Sequence, residues 1–145
     1  MRVIVTGPRT WTGNACYKPL FEVLSKLRDE YGVPVDETIT IVEGEAKGFD
    51  RMCRTIGEAL GYEIDPYPVE TWYPGDVYNP EAGHERNQVM VDSGGDVAVA
   101  GIMPCVKKGC TVERPHDSHG TADCMERLED AGIPIVKVYP EYDNE

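Results

Sequence analysis

Five short apolar segments, each set apart from the next by an amphipathic stretch of helical period, constrain this chain more than any other feature. Arg2–Thr6, Thr38–Val42, Glu63–Val69, Asp96–Gly101 and Pro134–Tyr139 are rich in Val, Ile and Tyr and bounded by Gly, Pro or charged residues. That is the pattern of buried strands. Between the first two, Leu20, Val23, Leu24, Leu27 and Tyr31 share one helical face. Their spacing predicts a helix over Tyr17–Tyr31, with Pro19 in its first turn and Gly32 as its stop. The same periodicity predicts helices over Phe49–Leu60, Pro80–Asp92 and Ala122–Ala131. Strands that alternate with helices pack as a parallel sheet covered on both faces. The expected fold class is therefore α/β, a Rossmann-like three-layer α/β/α arrangement with a mostly parallel sheet of about five strands. Residues 1–145 are expected to form one domain. In such sheets, ligands bind beyond the carboxyl ends of the strands, where strand order reverses.

The charge bears on the partner. The 145 residues include 14 basic and 26 acidic side chains, a formal net charge of −12. A duplex binder needs clustered Lys and Arg to displace counterions from phosphate, so no nucleic-acid partner is expected. A small anion remains compatible, because a few local donors outweigh a distant field that salt screens over roughly 10 Å. No apolar run approaches the roughly 20 residues of a membrane span, and Met1–Gly7 lacks a signal peptide's apolar region. A cytoplasmic location without a membrane partner is expected. Five scattered cysteines, an odd number, read as reduced thiols.

Each strand end is followed by a polar or glycine-rich loop. In Thr6-Gly7-Pro8-Arg9-Thr10-Trp11, Gly7 allows close backbone approach, Arg9 can pair with a phosphate and Trp11 can stack on a ligand. The alternatives are a solvated Arg9 and a Trp11 that caps the sheet. In Glu43-Gly44-Glu45-Ala46-Lys47-Gly48-Phe49-Asp50, Gly44 exposes backbone N–H groups before a helix, whose dipole favours an anion. Asp50 there is either a helix cap or a holder of a ribose hydroxyl. Glu43 and Glu45 would repel a phosphate placed against them. The loop is neither a Walker A sequence nor G-x-G-x-x-G, and no cofactor is expected. Arg86 and Asn87, in the second turn of the third predicted helix, either point over the pocket or belong to a solvated face. His119-Gly120-Thr121 before Ala122 is either a phosphate cradle or an ordinary helix start with Thr121 as its cap.

Taken in order, these loops are more specific than any one of them. Val5–Trp11, Val42–Asp50, Tyr67-Pro68 with Trp72, Ala82-Gly83-His84-Glu85-Arg86-Asn87, and His119-Gly120-Thr121 before Gly132-Ile133-Pro134 resemble the YspA-type branch of the SLOG superfamily. That superfamily includes LOG-type phosphoribohydrolases, which cleave the base from a nucleoside monophosphate, ligand-sensing domains, and the SMF proteins of DNA processing. The resemblance implies a small-molecule nucleotide or nucleotide derivative as ligand, bound by a sensor or sequestering protein. It also implies an alternative, an N-glycosidase, while the acidic surface allows a further one, a non-catalytic protein-interaction module. On the glycosidase reading, Arg86 matches the Arg of a His-x-Arg-Lys segment and supports phosphate or catalysis, and Asp123 stands where a catalytic Glu would sit. Two departures are visible. The Pro-Gly-Gly phosphate loop is reduced to Ser118-His119-Gly120, and Glu45 stands where relatives usually have glycine. Members of this superfamily often dimerise through helices, which allows for a homodimer.

Cys105, Cys110, His116 and His119 fall within one loop. Four such residues could make a tetrahedral zinc site, although their spacing is unlike that of common zinc motifs. A Cys105–Cys110 disulfide and an ordinary mobile loop are the alternatives. Lys107, Lys108 and Arg114 in the same loop would also suit a phosphate.

Overall fold

The computed structural model describes residues 1–105, 110 and 118–142. Alternation along the first strand, β1 (Arg2–Thr6), sends Val3 and Val5 to one face of a sheet and Ile4 to the other. β2 (Thr40–Glu43) and β4 (Val97–Gly101) repeat the device, dividing Ile41 from Val42 and Val97 and Val99 from Ala98. Strands apolar on both sides must be covered on both sides. On the first face, α1 (Asn14–Ser25) contributes Leu20 and Leu24, and α3 (Phe49–Ala59) contributes Cys53 and Ile56. On the second, α4 (Ala82–Asp92) and α5 (His119–Asp130) contribute Met90, Val91, Cys124 and Leu128. With β3 (Glu63–Pro66) and β5 (Ile135–Val138), the sheet has five parallel strands in the order β3-β2-β1-β4-β5. The result is the expected three-layer α/β/α fold. After β3 the chain returns to the opposite side of β1, so strand order reverses between β1 and β4.

Three of the predicted helices differ from expectation at their boundaries. The first helix begins at Asn14 and breaks at Lys26 before a short α2 (Leu27–Glu30), which leaves Tyr31 outside, at 45% exposure. Pro19 therefore lies inside α1 rather than in its first turn. A proline there leaves the carbonyl four residues back without its helical donor. The Glu141 N–H fills that vacancy, donating to the Ala15 carbonyl at 2.7 Å. The fourth predicted helix starts at His119 instead of Ala122, with Ser118 in the N-cap position. Thr121 is thus in the first turn and is not the cap. The predicted Pro80 start moves to Ala82. Among the described residues no helix is long and apolar enough to cross a membrane.

Candidate functional site

A cleft of about 470 Å³ opens at the carboxyl ends of β1 and β4, at the reversal of strand order where α/β folds place ligands. Four chain-distant segments meet there. Gly7 and Arg9 come from the loop after β1, Asp50 from α3, Arg86 and Asn87 from α4, and His119, Gly120 and Thr121 from α5. Three residues singled out in the sequence are placed elsewhere. Trp11 is fully buried, with its ring edge-on to Phe49 at 5.1 Å, so it belongs to the core and offers no face to a ligand. Gly44 stands behind the cleft wall, and Asp123 is not among the lining residues.

The wall formed by the loops after β1 and β2 is closely packed. A Cβ on Gly7 would stand 2.2 Å from the Phe49 ring, and one on Gly48 would stand 2.4 Å from the Arg9 carbonyl oxygen. The Phe49 N–H donates to the Pro8 carbonyl at 3.2 Å, joining the two loops. Gly44 faces Arg86, whose Nη1 donates to the Gly44 carbonyl and, at 3.3 Å, to that of Tyr67, while Nε donates to Asn87 Oδ1 at 3.1 Å. Gly7 and Gly44 are therefore small because protein atoms stand against them. Asp50 is no helix cap, that position being held by Gly48. Its Oδ2 accepts from the N–H groups of Gly44 and Ala46 at 3.2 and 3.3 Å, which fixes the glycine loop. Its Oδ1 is buried with no hydrogen-bond partner among the described residues. Burial pushes the Asp50 carboxyl up to about 7, against those N–H bonds and the nearby Arg86 charge.

The opposite wall is open. A Cβ on Gly120 would meet nothing within 4 Å, and no side chain caps the first turn of α5. The Thr121 hydroxyl is buried without a partner among the described residues. Behind this turn, Asn87 Nδ2 donates to Asp123 Oδ2 at 3.1 Å, and Arg127 grips the same carboxylate through Nε at 3.0 Å and Nη2 at 3.2 Å. Burial raises the Asp123 carboxyl, but the bonds from Arg127 and Asn87 outweigh it and hold the group below its usual range. His84, a lining residue, lies 3.8 Å from Asp123 Oδ1 and 3.2 Å from Glu81 Oε2.

Glu43 and Glu45 do not face the cleft. They form a separate notch with Arg54, whose Nη2 lies 2.8 Å from Glu43 Oε1 and 3.0 Å from Glu45 Oε1. Glu45 has φ +57°, a conformation that favours glycine. Arg9, by contrast, has no ion pair or hydrogen bond for its guanidinium among the described residues, and it is exposed at the cleft. Of the residues in the proposed zinc set, His116 lies outside the described residues, as do Lys107, Lys108 and Arg114. Cys105 is a free thiol, which excludes the Cys105–Cys110 disulfide. Two contributors have no site role assigned from the sequence. Arg127 is the i+4 partner of Asp123, legible once both are on one helix. Trp72 lines the cleft with its ring laid against Gly83, a contact that no local pattern announces.

No family model and no curated protein matches the sequence. Among solved structures, the chain is similar to DNA processing protein A (DprA) from Streptococcus pneumoniae, with a TM-score of 0.65 and 16% identity. The match covers 94% of this chain and 49% of that one, so the chain spans about half the length of its structural neighbour. At that identity the likeness is one of fold. It does not reach the YspA-type branch. It also corrects one expectation. The charge-based exclusion of nucleic acid as a partner does not stand, because the same fold serves in a DNA processing protein.

Proposed function

We propose that the cleft binds a nucleotide or nucleotide-derived phosphorylated ligand, its phosphate at the start of α5, and that the chain works as a single cytoplasmic sensing or sequestering unit of the YspA type. The observation that carries this reading is the first turn of α5, open among the described residues, where Gly120 meets no atom and the buried Thr121 hydroxyl and the Arg9 guanidinium of the same cleft have no partner. Uncapped N–H groups and the helix dipole favour an anion there. Arg86 has Nη1 committed to the loops and Nε to Asn87 Oδ1, and of its five donors those on Nη2, without a partner among the described residues, are left for the ligand. Trp72 supplies an aromatic face for a base. Asp50, near neutrality, can donate a hydrogen bond where an ionised carboxylate would repel phosphate. Asp123, gripped by Arg127 and Asn87, acts as a positioning residue for Asn87. That geometry favours holding a ligand over cleaving its glycosidic bond.

Calorimetric titration with AMP, adenosine and inorganic phosphate tests the reading. AMP is expected to bind at least about tenfold more tightly than adenosine, and Arg9→Ala to weaken AMP by about 10–100-fold, the worth of a charge-assisted bond. Equal affinity for AMP and adenosine, or an Arg9→Ala variant that binds AMP unchanged, would falsify it. Mass spectrometry of the incubated ligand separates binding from base release. A second reading rests on the fold shared with DNA processing protein A: the same phosphate site engages single-stranded DNA. Displacement of AMP by a short oligodeoxynucleotide, with steep salt dependence, would favour it.

A further inference from the structure

We propose that Cys105, Cys110 and His119 together hold one divalent metal ion, with zinc the natural occupant. These residues come from different parts of the fold: Cys105 follows β4, His119 opens α5, and Cys110 comes from the segment between them. Yet one ligand atom from each lies within 4.8 Å of both others. Cys110 Sγ and His119 Nε2 are 3.4 Å apart. Tetrahedral zinc, with Zn–S near 2.3 Å and Zn–N near 2.0–2.1 Å, sets a sulfur-to-nitrogen separation of roughly 3.5 Å and a sulfur-to-sulfur separation of roughly 3.8 Å. The three donors therefore need only small movements to enclose an ion.

The donor chemistry selects the metal. Two thiolates and an imidazole are soft to borderline ligands that suit zinc and are poor for magnesium or calcium. Two thiolates also neutralise the ion's charge, which matters because Cys105 is only 5% exposed. Three protein donors leave the fourth tetrahedral position to water or an exogenous oxygen, the arrangement of open rather than purely structural zinc sites. Cys105 and His119 also line the cleft, so that fourth position is within reach of whatever occupies it. The inference does not need the phosphate reading, because metal binding is measured without nucleotide.

The test is a cobalt(II) titration of the full chain, kept reduced with a phosphine. The expected result is one tightly bound cobalt per chain, with a near-ultraviolet thiolate-to-metal charge-transfer band and intense visible bands of a tetrahedral site, all abolished by zinc. Cys110→Ser and His119→Ala should each weaken cobalt by more than the roughly 10–100-fold typical of losing an outer-shell partner. Cys16→Ser, on a buried thiol of α1, should leave the spectrum unchanged. Circular dichroism checks each variant. If His119→Ala fails to fold, Cys110→Ser carries the test, since Cys110 is half-buried and lies outside every helix and strand. The proposal is overturned if saturating cobalt gives no charge-transfer band, or if Cys110→Ser keeps the band at unaltered affinity.

Discussion

Both walls of the cleft carry glycine, and they use it for opposite purposes. On the β1–β2 side, Gly7, Gly44 and Gly48 each face protein atoms that a Cβ would strike. On the α5 side, Gly120 faces no described atom within 4 Å. One wall is filled and fixed by Phe49, Asp50 and Arg86; the other is open among the described residues. A glycine-rich loop therefore has two physical meanings, and only the atoms opposite it decide between them.

Breaking the filled wall should have the largest effect. Gly48→Ala combines a left-handed φ of +78° with a backbone clash. It should cost about 3 kcal/mol or more in denaturant unfolding, and Gly7→Ala, against the Phe49 ring, nearly as much. Asp50→Asn sharpens the comparison through pH. The Asp50 carboxyl rises from 3.8 to about 7 on folding, so between those values the folded chain holds a proton that the unfolded chain has released. Its contribution to stability is full below about pH 4, declines as pH rises and is lost above about pH 7. Asparagine mimics the protonated form. It should flatten that decline and raise stability at pH 8 by about 1 kcal/mol or more, measured by urea unfolding across pH.

On the open wall, the same chemical change should do the reverse. Gly120→Ala should leave thermal stability equal or raise it by up to about 1 kcal/mol, while weakening AMP about tenfold by occupying the phosphate's place. A strongly destabilised Gly120→Ala variant would erase the distinction between the walls. The smallest effect is expected at Glu45→Gly. Relief of a positive φ is offset by loss of a half-exposed ion pair with Arg54, so the net change should stay within about 0.5 kcal/mol.

This contrast also marks where sequence reading reaches and where it stops. The three central strands were legible because a sheet covered on both faces must be built from Val-, Ile- and Ala-rich runs, and Val97–Gly101 is buried at every position. The cleft's place followed from alternation alone. Individual roles did not follow, because they depend on long-range partners. Trp11 was read as a stacking face, yet it sinks beside Phe49, which lies 38 residues further along the chain. The start of α5 was misplaced because His119 and Gly120 are weak helix formers, and tertiary position overrode propensity. Asp50 reads in sequence either as a cap or as a holder of a ribose hydroxyl, and what it restrains is a loop four to six residues upstream. The charge misled in another way: a net value describes the whole surface and is silent about where a cation stands, here Arg9 at the cleft, with neither ion pair nor hydrogen bond for its guanidinium among the described residues.

Pro19 shows how a local fault becomes a distant fastening. Because the Ala15 carbonyl has no donor from its own helix, it is available to the Glu141 N–H, and the segment after β5 is strapped across the chain's first helix. Improving that helix on paper, by Pro19→Ala, would introduce a competitor for the same acceptor and loosen the strap. The helix alone would gain and the chain as a whole need not, so proteolytic nicking beyond Val138 should quicken even as helicity rises.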